Sequence, residues 1–160
     1  MSISLEEKKS QIQDKLLKIR EDLISTIKNL SVTTLNKKIS TKNESWTIIE
    51  IVRHLFEAEK GMTTLMMNIN NGGEGVPENF DLNRYNKRSV EKLVEKNLEI
   101  LLSGFSENRT RLFDFLLTIS AEDIAKKGRH GNLRILTIEE IFNLIGDHEQ
   151  SHLNKIKKEI

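Results

Sequence analysis

The stretch "TIEEIFNLIGDHEQSHLNKI", residues 137–156, supports two readings that lead to different folds. Its apolar residues Ile138, Ile141, Ile145 and Ile156 step by three and four, and His148 and His152 fall on the same seam, which Ile160 continues. One apolar stripe with a period near 3.6 is the mark of an amphipathic helix packed on a core. Thr137 followed by Glu140 has the capping-box pattern and predicts where that helix starts. The same stretch contains His148-Glu149-Gln150-Ser151-His152, the H-E-x-x-H pattern with which metalloproteases hold zinc through two histidines one turn apart.

Outward from this helix the chain repeats the same periodicity. Ile12, Leu16, Ile19, Leu23, Ile27 and Leu30 predict a first helix between Ile3 and Leu30. After a polar linker, "NKKISTKNES", Thr47 and Glu50 form another capping box, and Ile48, Ile51, Leu55, Ala58, Met62 and Leu65 extend a second helix. "NINNGGEGVPENFDLNRYN" holds most of the turn-forming residues and the only proline, so it reads as a long crossover loop. A third helix is predicted from about Ser89 to Ile119, weakened at Gly104, followed by a "KKGRHGNLRIL" loop with a short extended piece. These elements predict an all-α fold: a four-helix bundle with a long crossover between helices 2 and 3, in one domain over residues 1–160. No strand-period pattern competes, and no internal repeat is visible.

Composition narrows the function. The chain is 37% apolar and 31% charged, and 25 basic residues face 24 acidic ones. That balance does not point to a polyanion partner, so no nucleic acid is expected. The opening "MSISLEEKKSQ" lacks the apolar core of a signal peptide and no segment has the length of a membrane span. A cytoplasmic protein without a membrane partner is expected. With no cysteine, any thiol chemistry must borrow its thiol.

The histidines carry the chemistry. His54 lies on the second helix's seam with Ile51 and Ala58, so His54, His148 and His152 all face inward. A lone inward histidine is ordinarily a packing residue. Three together repel when protonated, whereas a divalent cation uses all three lone pairs. The protease reading fails for want of a downstream ligand, because only eight residues come after His152 and Glu159 is the sole ligand type among them. The third ligand therefore comes from upstream, and His54 is the candidate. Glu149, about 100° around the helix from His148, is a candidate general base at the pocket's flank. Glu57, one turn from His54, is a candidate ligand or base beside the plainer reading of an exposed salt-bridging residue. Tyr85 and Asn86 sit where the crossover would fold over the metal, or simply pack it down. His130, off the core seams, reads as a surface or loop residue, with contact to substrate the lesser alternative, and Trp46 reads as a staple onto Ile51.

"SWTIIEIVRHLFEAEKGM", "ENFDLNRYN" and "TIEEIFNLIGDHEQSHLNKI" together resemble the DinB-like, or DinB/YfiT, superfamily over nearly the whole chain. The resemblance implies a four-helix bundle holding nickel or zinc through a histidine of helix 2 and an H-x-x-x-H pair of helix 4, here His54, His148 and His152. It further implies a metal-dependent hydrolase, or a transferase that adds a low-molecular-weight thiol such as bacillithiol to a small electrophile, and frequent homodimers. The alternative expectation is a non-catalytic, stress-associated dimeric bundle with a structural or vestigial metal site.

Overall fold

A computed structural model describes residues 2–40 and 45–160; part of the "NKKISTKNES" linker, residues 41–44, lies outside the described residues. Four long helices, α1 (Leu5–Ile27), α3 (Ile48–Asn70), α5 (Leu98–Thr118) and α7 (Ile138–Glu159), form a four-helix bundle. Helix α3 packs between α5 and α7, and α1 contacts the same two helices from the other side. Between α1 and α3 come a short α2 (Val32–Leu35) and a hairpin of β1 (Lys38–Ser40) with β2 (Ser45–Thr47). The crossover ends in α4 (Leu82–Lys92), and a short α6 (Ala121–Ile124) and a hairpin of β3 (Lys127–Arg129) with β4 (Ile135–Thr137) precede α7. Among the described residues no helix is long and apolar enough to cross a membrane.

The caps set the helix starts. Ser4 and Glu7 exchange bonds at the head of α1, and Thr47 and Glu50 do so at α3. At α7 the expected box is half formed: Thr137 Oγ1 accepts the Glu140 N–H at 3.0 Å, and the reciprocal bond is not made. The expected third helix is two. Asp81 caps α4, and Asn97 accepts the Ile100 N–H to restart the chain as α5, so the predicted crossover loop is partly helix. An asparagine that caps a new helix competes with continuing the old one. Gly104 does not interrupt α5; it lets Phe56 of α3 press against the backbone, where a Cβ would sit 2.3 Å from the ring.

The structure contains an internal repeat that the sequence reading missed. Long helix, short helix, hairpin and long helix occur twice in the same order. Lys37 O accepts the Ile48 N–H and Lys126 O accepts the Ile138 N–H, each where a hairpin turns into a helix. The ammonium of Lys37 reaches Glu159 O at the end of α7, while that of Lys126 reaches Asn70 O at the end of α3. Thr47 and Thr137 cap the equivalent helices.

The repeat extends into the core as a buried charge layer with one member per long helix. Arg20 donates to Glu149 Oε1 at 2.6 Å and Glu59 Oε2 at 2.8 Å, and Arg109 donates to Glu59 Oε2 at 2.7 Å and Glu149 Oε2 at 3.0 Å. Arg20 Nη1 also caps Phe105 O, and Arg109 Nη1 caps Leu16 O. All four side chains are buried, and two apolar clusters lie on either side, one around Phe142 and Leu112, the other around Phe105 and Leu23. Each fully buried Leu or Phe contributes about 1.5–3 kcal/mol. The charge layer adds little net stability, since desolvation offsets its attraction, but it closes only when all four helices are in register.

Candidate metal centre

His54 of α3 and His148 and His152 of α7 meet because those two helices are neighbours and the three residues share the facing seams. His54 Nε2 lies 2.9 Å from His148 Nε2, and one ligating atom from each of the three rings lies within 4.8 Å of the others. The ring centroids are 4.7 to 5.0 Å apart in edge-to-face arrangement. His152 Nδ1 is buried without a hydrogen-bond partner.

Burial is the main cause that keeps these rings neutral. It lowers His54 to about 2, helped by the charges of His148, His152 and Lys155. His152 falls to about 3 for the same reasons, with burial first and then His148 and Lys155. His148 falls to about 4, because Glu149 partly opposes burial. At neutral pH the three rings therefore offer lone pairs rather than charge.

Trp46 covers one side of the cluster, its ring 4.9 Å from that of His54. Expected only as a staple onto Ile51, it packs on the apolar cluster that contains Ile51 and also roofs a histidine of the three-histidine group. On the other side a cavity of about 340 Å³ reaches His54 and His148. Ala58, Met62 and Leu65 of α3 and Leu144 of α7 form its floor, and Val76, Phe80, Leu82 and Tyr85 form the wall that faces them. Tyr85 lies across Gly61, where a Cβ would be 2.8 Å from its hydroxyl, so the glycine is what lets α4 close down here. Asn86 lines the cavity as well.

The third wall is the β3–β4 hairpin, and it brings in His130. The ring was expected at the surface, yet it is 8% exposed and lines the cavity. Its position follows from a three-residue turn: Leu133 N–H donates to His130 O, His130 N–H donates to Arg134 O, and Leu133 closes the turn with φ 71°. A type I turn followed by a left-handed residue is a common hairpin geometry, usually with glycine at that last place. The crossover is fastened to the same hairpin by Val76 N–H to Arg129 O at 2.9 Å and Arg129 N–H to Glu74 O at 2.8 Å. Gly75, at φ +90°, sits between, where a Cβ would strike the Arg129 backbone. "GRHGN" signals the turn but not the direction of the ring.

The carboxylates are placed elsewhere. Glu149 is buried with its two oxygens held by Arg20 and Arg109, which corrects its reading as a free base at the pocket's flank. One helical step of about 100° turns it from the α3–α7 seam into the charge layer. Glu57 is buried, not exposed, with Lys92 of α4 3.7 Å away, and does not join the three-histidine group.

Comparisons with known proteins agree with this architecture. YfiT from Bacillus subtilis, described as a probable metal-dependent hydrolase with an unusual four-helix bundle topology, superposes with TM-score 0.78 at 19% identity over 98% of this chain and 87% of that one. A mycothiol-dependent maleylpyruvate isomerase gives 0.73 at 13% identity, over 96% of this chain and 61% of that one. The colibactin self-resistance protein ClbS, solved in complex with double-stranded DNA, gives 0.75 at 12% identity over 94% of both chains. That complex overturns the exclusion of nucleic acid drawn from net charge: a protein of this fold does bind a duplex, and a charge summed over the whole chain says nothing of how one face is charged. No curated protein matches by sequence. The DinB superfamily model matches residues 15–156, which include all three clustered histidines, and the chain therefore belongs to the DinB superfamily.

Proposed function

We propose that this chain is a metal-dependent enzyme in which His54, His148 and His152 hold a divalent transition metal, nickel or zinc, and a small molecule reacts in the adjoining cavity. The observation that carries the reading is the convergence of three neutral imidazoles, two of which, His54 and His148, line a mainly apolar cavity. The donor set fits such an ion. Imidazole bonds of about 2.1 Å place ligand nitrogens roughly 3.4 Å apart, between the 2.9 Å of the closest pair and the 4.8 Å span of the set. The orphaned His152 Nδ1 supports the same reading, because a buried ring nitrogen without a partner is satisfied by a metal or a metal-linked water.

When bound, the ion supplies Lewis acidity that favours the deprotonated form of a water or thiol beside it. The protein's own groups do the rest. Neutral rings keep the ligand lone pairs free, Trp46 excludes water from one side, and the apolar walls exclude it from the other. Hydrolysis needs no further binding group, so a hydrolase is the first reading. Thiol transfer is the second, supported by a groove beyond Phe80 and Tyr85 lined by Arg84, Arg88 and Lys92. Such a groove suits the carboxylates of a low-molecular-weight thiol, which the cavity interior, without Lys or Arg, does not.

Elemental analysis of untagged protein, wild type beside His54→Ala, His148→Ala and His152→Ala, tests the metal. About one equivalent retained by wild type and lost in each variant is expected. Absence of metal in wild type, with reconstitution by zinc and nickel also failing, refutes the enzyme reading. Metal-loaded protein with p-nitrophenyl acetate, and with bacillithiol plus 1-chloro-2,4-dinitrobenzene, separates the two nucleophiles; Arg84→Ala with Arg88→Ala should depress only the second reaction.

A further inference from the structure

We propose that His130 positions the substrate: its Nε2–H donates a hydrogen bond to an acceptor oxygen, such as a carbonyl, of a small uncharged molecule held in the cavity. This rests on reading that cavity as the reaction chamber, and it goes beyond the three-histidine cluster, which His130 does not join.

The ring's chemistry is set by one bond. His130 Nδ1 accepts the Asn132 backbone N–H at 3.1 Å, so Nδ1 holds a lone pair and the proton of the neutral ring sits on Nε2. Burial keeps the ring in that neutral form. Nε2 makes no hydrogen bond to any described residue, and His130, 8% exposed, lines the cavity. With Nδ1 engaged by the turn, Nε2–H is the group this ring has left to offer a molecule held in the cavity.

The hairpin holds this donor rigidly. The turn is closed on both sides of His130 by its own N–H and C=O, Asn132 Oδ1 accepts the Arg134 N–H, and the preceding Arg129 is tied to the crossover at Glu74 and Val76. Gly131 lies against Leu82 and Phe80, with room for no more than a hydrogen before those side chains have to give. These ties hold the ring in one place, as a group that orients a reactant must be held.

The remaining walls state the substrate's class. Ala58, Met62, Leu65, Phe80 and Leu144 are apolar, and no Lys, Arg, Asp or Glu lines the cavity. A charged body there would lack a counter-ion, so the body is uncharged and mainly hydrocarbon. Beside the histidines, Tyr85, Asn86 and Asn132 are the other polar side chains lining it, and a few placed polar groups in a mainly apolar chamber are the usual means of fixing orientation.

The test uses probes of one shape. Cyclohexanone and methylenecyclohexane differ in C=O against C=CH2, and their affinities are measured from NMR shifts of the Met62, Leu65 and Leu144 methyls in metal-free and in zinc-loaded protein. In metal-free protein the ratio of ketone to alkene affinity should fall about 3- to 10-fold in His130→Phe, and recover in part in His130→Gln, whose amide can donate. An unchanged ratio overturns the proposal, and so does a failure of the ketone to bind at all. Should His130→Phe not fold, long-range proton–nitrogen spectra of wild type decide: a proton on Nε2 whose shift moves with ketone and not with alkene supports the role, and a proton on Nδ1 refutes it. Zinc stoichiometry in the same samples reports on the metal reading separately, since the ketone preference is measured without the ion.

Discussion

Lowering the pH from 7 to 5.5 should destabilise the metal-free protein by about 3–4 kcal/mol through the histidine cluster alone. In the unfolded chain each ring titrates near 6.5. In the fold His54, His148 and His152 titrate at about 2, 4 and 3. Depressed folded values mean that between pH 6.5 and about 4 the unfolded state binds more protons than the folded one, so stability falls as pH falls across that window. Each ring then contributes about 1.4 kcal/mol per pH unit, and at pH 5.5 the loss per ring is about 1.2 kcal/mol. His130, also lowered, adds in the same direction. Urea titrations of apo protein at pH 7.0, 6.2 and 5.5 measure it, with the triple variant His54→Gln, His148→Gln, His152→Gln as the comparison. A wild-type stability that stays flat across the window, or a triple variant with the same slope, would refute the argument that burial holds these rings neutral. Zinc should steepen the loss, because binding requires the unprotonated rings.

Arg109→Met should cost about 3–5 kcal/mol in denaturant stability, because it leaves Glu59 and Glu149 sharing only Arg20; apolar replacement of all four members together should cost far less, and equal losses would contradict the desolvation account. Leu133→Asn should raise stability by about 0.5–1 kcal/mol, read from the thermal midpoint, since Leu133 is 46% exposed and holds a left-handed φ that asparagine tolerates. Gly75→Ala should destabilise by more than about 1 kcal/mol and strip hydrogen-exchange protection from the Val76 and Arg129 amides, because the new Cβ meets the Arg129 backbone; retained protection would show that the crossover is not fastened there.

How much of this was legible depended on the distance over which each feature is encoded. The long seams and the caps at Thr47 and Thr137 are local, and they yielded the bundle and the inward direction of the three histidines. The first hairpin escaped, and of the second only a short extended piece was expected, because strands of three residues are too short to show a period. Nothing in the sequence singles out Arg20 and Arg109, because a charge gives no sign of burial until its partners on three other helices are known. The same blindness placed Glu149 at the pocket and Glu57 in solvent. His130 sits in a turn, where no periodicity tells which way a ring points.

The repeat explains why the chemistry sits where it does. Aligning Thr47 with Thr137 pairs Glu59 with Glu149, which occupy matching places in the charge layer. The same alignment pairs His54 with Leu144, Ala58 with His148 and Met62 with His152. The α3–α7 seam therefore holds two equivalent triplets, His54/His148/His152 and Leu144/Ala58/Met62, and five of these six residues line the cavity. One triplet is all imidazole and the other all apolar, so a backbone arrangement that is nearly symmetric becomes a chamber with one reactive end and one hydrocarbon end. The two hairpins diverge correspondingly: the first sets Trp46 against the His54 ring, and the second turns His130 toward the cavity. A small molecule entering such a chamber meets a gradient from apolar wall to imidazole, and only one of its ends can reach the cluster. Orientation thus follows from breaking the repeat's symmetry at a few side chains, while the helices, caps and charge layer that keep it elsewhere hold the chamber's shape.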